Sequence, residues 1–150
     1  MIRVDITVEH EPFPVNVERL RAAVLQIVKD AGKSKGSVSV AVVDDATIHD
    51  VNLRFLQHDE PTDVVSFALE DEGKLLEGEI VLGADVAARS AAELKIPPDD
   101  ELLLYAIHGA LHIVGHDDLT PEPRKTMRAR EREYLAAFGV SLPSPPEELQ

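Results

Sequence analysis

Residues 62–85 read "TDVVSFALEDEGKLLEGEIVLGAD", and their reading decides what fold the chain can take. "TDVVSFAL" (62–69) and "KLLEGEIVLGAD" (74–85) each have the apolar, β-branched content of a strand. The short "EDEG" between them predicts a hairpin, hence an antiparallel pair. Upstream, "IRVDITVE" (2–9) alternates apolar and polar residues as a strand does, and "GSVSVAVVDDA" (36–46) is a valine-rich buried strand. Between them "NVERLRAAVLQIVKDAG" (16–32) has helical periodicity, with Asn16 placed to cap it and Gly32 to end it. That strand–helix–strand unit should be parallel and right-handed. Helices are further expected over 46–57, 85–95, 96–115 and 120–139. The fold class is therefore α/β: one domain over 1–142, with a mixed sheet of about four strands packed with about five helices. Residues 143–150 read as a frayed tail.

Composition narrows the function. The 150 residues are 44% apolar, enough for one sizeable core, and no run is long enough to span a membrane. The first residues lack the pattern of a secretory leader, and with no cysteine there are neither disulfides nor thiolate metal sites. A cytoplasmic location is expected. The net charge of −13 opposes long-range attraction to a polyanion. Any nucleic-acid function must rest on a local basic patch, a metal ion or a partner. The four Phe and two Tyr, with no Trp, offer little base-stacking surface.

Three of the six histidines fall in "HGALHIVGHDD" (108–118). His108 and His112 lie four apart on the predicted helix, about 40° apart around its axis, so both face one side. That spacing can bring two imidazole nitrogens to one ion at about 2.0–2.1 Å. A third ligand requires the chain to turn back. Gly115 permits the left-handed conformation that ends helices, and His116, Asp117 and Asp118 follow it. Two imidazoles and one carboxylate with an open position suit zinc, one ion per chain. A carboxylate ligand would also tolerate harder ions such as Mn²⁺. The H-E-x-x-H proteases place a glutamate directly after the first histidine as base; here that residue is Gly109, which argues against a protease.

The run resembles the signature of the YbeY family of metal-dependent endoribonucleases and rRNA maturation factors, typically H-G-x-L-H-x-x-G-Y-D-H. "VNLRFLQHDEPTDVVSFALE" (51–70) is similar to a second family block, and "LEGEIVLGADVA" (76–87) to a third, in the same order and spacing. The resemblance implies a cytoplasmic α/β protein with a zinc site, processing rRNA ends and taking part in ribosome quality control. Its partners would be precursor rRNA and the small subunit or its proteins, with no role for DNA or membrane. Carried over by position, the metal ligands are His108, His112 and Asp118. Two departures stand out: Asp118 replaces the usual histidine, and His116 occupies the usual tyrosine position, which keeps His116 as an alternative third ligand. The family's arginine after the aromatic is also absent, since Phe55 is followed by Leu56. Arg54 is the nearest cation, but two positions away on a helix is about 200° around it.

Other residues carry weaker signals. His116 and Asp117 are candidates for the general base. Asp63, in "PTDVVSF", could orient a metal-bound histidine or could be an ordinary turn residue. Arg124, Arg128 and Arg132 recur every four residues beside Lys125 and Arg130, a candidate RNA-contact stripe that Glu131 and Glu133 would partly neutralise. Met127, Tyr134, Leu135 and Phe138 would face the core. Two other function classes compete with the nuclease: a non-catalytic assembly factor with a structural metal, and an "HD" phosphohydrolase using His116 and Asp117. The predicted strands argue against the second, since such enzymes are usually all-helical.

Overall fold

The computed structural model describes residues 1–116 and 120–141. The expected tail over 143–150 lies outside them. Four strands form one sheet: β1 (Arg3–Val8), β2 (Lys35–Val43), β3 (Val64–Glu72) and β4 (Leu75–Gly83), in the order β1-β2-β4-β3. β1 runs parallel to β2 and β2 parallel to β4, while β3 pairs antiparallel with β4 at the edge. The mixed sheet expected from the hairpin is thus present. Five helices accompany it: α1 (Val17–Asp30), α2 (Asp45–Leu56), α3 (Ala84–Leu94), α4 (Pro98–Ile113) and α5 (Pro121–Ala137).

The hairpin differs in one respect from its sequence reading. The acidic residues of "EDEG" are not the link: Glu70, Asp71 and Glu72 continue β3 and pair with Glu77, Leu76 and Leu75. Only Gly73 and Lys74 make the turn, and positive φ falls on Gly73 alone, as a type II′ hairpin requires. A bulge between Ala68 and Glu70 leaves Leu69 as the extra residue, which explains why a leucine in a strand is 64% exposed. These acidic side chains stand in water on an edge strand, where charge discourages further pairing.

Alternation along the strands sorts the core. Val38, Val40 and Val42 of β2 and Leu76, Ile80 and Leu82 of β4 face α1, α3 and α4. Val43 and Val65, with Ala41, Phe67 and Val81, face α2 on the other side. α1 buries Leu20, Ala23, Val24, Ile27 and Val28, a stripe at helical spacing, and Asn16 Oδ1 caps it by accepting from Arg19 N at 3.0 Å. α4 is buried on almost every side, because the sheet, α1, α3 and α5 all pack against it. Gly78 and Gly109 let it lie close to the sheet: a Cβ on Gly78 would be 3.1 Å from Ile113 Cδ1, and one on Gly109 would be 2.9 Å from Ile80 Cγ2. Leu103, fully buried in α4, should lose about 2–5 kcal/mol of stability on change to alanine. A thermal melt of Leu103→Ala checks that loss.

One buried acid sits in this core. Glu101, 2% exposed, accepts from Ser90 Oγ at 2.9 Å and from Tyr105 OH at 3.0 Å through the same oxygen. Burial pushes its pKa above the ordinary 4.5, and also pushes up that of Tyr105. The folded protein then holds a proton that the unfolded chain gives up. This group's contribution to stability is full below about pH 4.5 and falls as pH rises towards its folded value. Urea titrations should show Glu101→Gln gaining on the wild type between pH 4 and pH 7, with the difference flat if Glu101 were not the cause. No described helix is long and apolar enough to cross a membrane.

Candidate metal centre

His108 and His112 occupy the last two turns of α4 with ring centres 6.5 Å apart and planes inclined by 32°. Two imidazoles sharing a tetrahedral ion have centres about 5 Å apart. His112 is exposed, so a small rotation of its side chain covers the difference. The helix then ends as expected. Gly115, with φ of +109°, donates to His112 O at 3.1 Å, and His116 N donates to Leu111 O at 3.0 Å. This pair of bonds is a Schellman motif, which reverses the chain just past the two histidines. His116 is half-buried and, with Gly115, Glu122, Pro123 and Thr126, lines a surface hollow of about 430 Å³ beside the start of α5. Asp117 and Asp118 lie outside the described residues. Among the described residues no group of three His, Asp or Glu gathers to hold an ion.

What holds His108 is a residue that the sequence marks only as a partial neutraliser of the basic stripe. Glu131 of α5 is 1% exposed, and its Oε2 lies 2.6 Å from His108 Nδ1. Arg128 Nη1 donates to both oxygens of Glu131, at 3.0 and 2.8 Å, and also lies 3.4 Å from His108 Nδ1. The two contacts at Nδ1 ask for opposite tautomers, since a carboxylate needs an N–H and a guanidinium needs a lone pair. The 2.6 Å contact decides, because a charge-assisted bond of that length outweighs one at 3.4 Å. Nδ1 is thus the nitrogen that donates to Glu131, and in a neutral ring the lone pair would then be on Nε2. A carboxylate bonded behind a metal-ligating histidine is a common arrangement. The signal was present in the periodicity: Glu131 falls on the core-facing stripe of Met127, Tyr134 and Leu135.

Arg128 consequently does not continue an exposed basic stripe. Its side chain is 12% exposed and turned inward. Of the other predicted RNA contacts, Arg132 is exposed and Arg124 half-buried, with Lys125 exposed beside them. Arg130 bonds Glu133 and the Tyr134 hydroxyl. Asp63 makes no hydrogen bond to a histidine among the described residues; its Oδ1 accepts from Val64 N at 2.8 Å and Thr62 Oγ1 at 3.3 Å. Arg54, on α2, is 70% exposed and bonds Asp50 at 3.1 Å. α2 packs on the sheet face opposite α4. Phe55 and Leu56 at its end are exposed, and Phe55 meets Phe67 of β3 edge-on at 5.5 Å.

The position after His108 explains why no glutamate base stands there. Gly109 faces the sheet, and its Cβ would press on Ile80 and Val64. The face that carries the histidines is a different one.

Residues 5–139 match the family described as Endoribonuclease YbeY. A Rhodopirellula baltica protein of that name is 52% identical over 114 residues, covering 75% of this chain and 59% of that protein, so this chain spans less than two thirds of that relative. Proteins of the same name from Syntrophotalea carbinolica and Chlorobium phaeovibrioides are 36% and 34% identical over 129 and 132 residues. The matched parts are 81% and 88% of this chain, and 86% and 88% of those proteins. The solution structure of TM1509 from Thermotoga maritima superposes with a TM-score of 0.62 at 26% identity, over 93% of this chain and 92% of that one.

Proposed function

Because the chain belongs to the Endoribonuclease YbeY family, we propose that it is a zinc-dependent endoribonuclease that cleaves single-stranded segments of precursor rRNA in the cytoplasm, in ribosome maturation and quality control. The observation that carries the metal part is the bond that His108 Nδ1 donates to buried Glu131, an arrangement common behind metal-ligating histidines that would leave Nε2 to act as the ligand. His108 and His112 would hold the ion, with Asp118 as third ligand at the family position and His116 as the alternative. When bound, the ion supplies positive charge to a phosphoryl oxygen and acidifies water. The chain's own residues do the rest. The Schellman turn at Gly115 brings His116 beside the hollow at the start of α5, and His116 is a candidate to take a proton there; Asp117, the other candidate by sequence, lies outside the described residues. Arg132 and Lys125, both exposed, offer the local positive charge that a chain of net charge −13 needs near a phosphate backbone.

A second reading is favoured by one specific observation. The family's arginine position is Leu56, and Arg54 is engaged with Asp50. An assembly factor whose metal is structural would need neither. Metal content and cleavage of a single-stranded rRNA-derived oligonucleotide separate the two. One zinc per chain with cleavage, both lost in His112→Ala, is the expected result. Bound zinc with equal background cleavage in both proteins would favour the assembly factor.

A further inference from the structure

The geometry points to Glu131 as a positioning residue that sets the tautomer of His108, with Arg128 holding Glu131 in place; this rests on the metal reading above. The pair is built rather than incidental. Glu131 is 1% exposed and Arg128 12%, on a helix whose other charged side chains stand nearer water. A carboxylate in that position must have its oxygens satisfied. Arg128 Nη1 reaches both of them, and Oε2 has the His108 ring as its second partner. The consequence is directional. An unrestrained neutral imidazole divides its proton between two nitrogens, and only the form with the lone pair towards the ion is a ligand. Fixing the proton on Nδ1 removes the wrong form and fixes the ring plane before any ion arrives. α5 thereby contributes to a site whose ligands lie on α4 and just beyond it.

The obvious variant, Glu131→Ala, would strand Arg128 in the core and could unfold the protein. The double variant Glu131→Leu/Arg128→Met avoids that, because replacing both members of a buried ion pair by apolar residues is often neutral. Glu131→Gln is the conservative partner, since it retains an acceptor for Nδ1–H. Two readouts are needed: zinc affinity by competition with a chromophoric chelator, and the ¹⁵N spectrum of His108 in zinc-free protein, with exposed His112 as internal reference. The expected result is an Nδ1–H tautomer in the wild type and a mixture in the double variant. Zinc affinity in the double variant should fall by about 10–100-fold, and Glu131→Gln should lie nearer the wild type in both. A wild type that takes up no zinc overturns the metal reading and this one together. A wild type that binds zinc, with the double variant equal to it in affinity and tautomer, overturns the role of Glu131 alone.

Discussion

Gly109→Glu, which would install the H-E-x-x-H base between the two histidines, should destroy the fold rather than create a protease. A Cβ at this position already lies 2.9 Å from Ile80 Cγ2 and 3.1 Å from Val64 Cγ2, closer than packed side chains normally tolerate. Alanine is the mildest case. Overpacking costs about 1–3 kcal/mol, and the better helix propensity of alanine returns about 1, so Gly109→Ala should fold with a melting temperature lower by a few degrees. Glutamate adds a chain that must enter the layer between α4 and the sheet, where the nearest groups are the apolar side chains of Ile80 and Val64. An unpaired carboxylate in that layer costs several kcal/mol more, against a total stability of roughly 5–15 kcal/mol for a domain. The measurement is soluble yield and circular dichroism of both variants. A Gly109→Glu protein that melts like the wild type would mean that the face of α4 has been misassigned.

The same residue shows what could be read without coordinates. That Gly109 is not glutamate is plain in the sequence; that it cannot be one depends on which face of α4 meets the sheet. α4 is apolar around most of its circumference, so periodicity does not single out a face. The strands were legible because β2 and β4 are runs of valine, leucine and isoleucine between turn residues. The length of β3 was not, because its last three residues are acidic and pair at an edge open to water. The histidine pair and its terminating glycine were legible as local spacing. Glu131 was not, since its partner lies 23 residues away and a glutamate beside arginines reads as solvated. Only its place in line with Met127, Tyr134 and Leu135 marked it as inward-facing.

The two helical histidines should respond differently to alanine, and the difference tests both the ion and its support. His112 is exposed, so His112→Ala should leave the metal-free melt within about 0.5 kcal/mol of the wild type. His108→Ala leaves Glu131, 1% exposed, with Arg128 as its only remaining side-chain partner among the described residues. Losing one partner of a buried, charge-assisted bond costs about 1–3 kcal/mol. At roughly 2–4 °C per kcal/mol for a domain of this size, its metal-free melt should fall by several degrees. Zinc reverses the comparison. At a hundred times its dissociation constant a ligand adds about 2.7 kcal/mol to the folded state, so the wild type should melt several degrees higher with zinc than with chelator. Both variants should lose that increment, and with it RNA cleavage. If His112→Ala kept the increment, the ion would be held by His108 with residues beyond the Gly115 turn, and α4 would supply one ligand rather than two. If His108→Ala melted like the wild type without metal, the Glu131 carboxylate would not depend on the imidazole, and its burial would be accounted for by Arg128 alone.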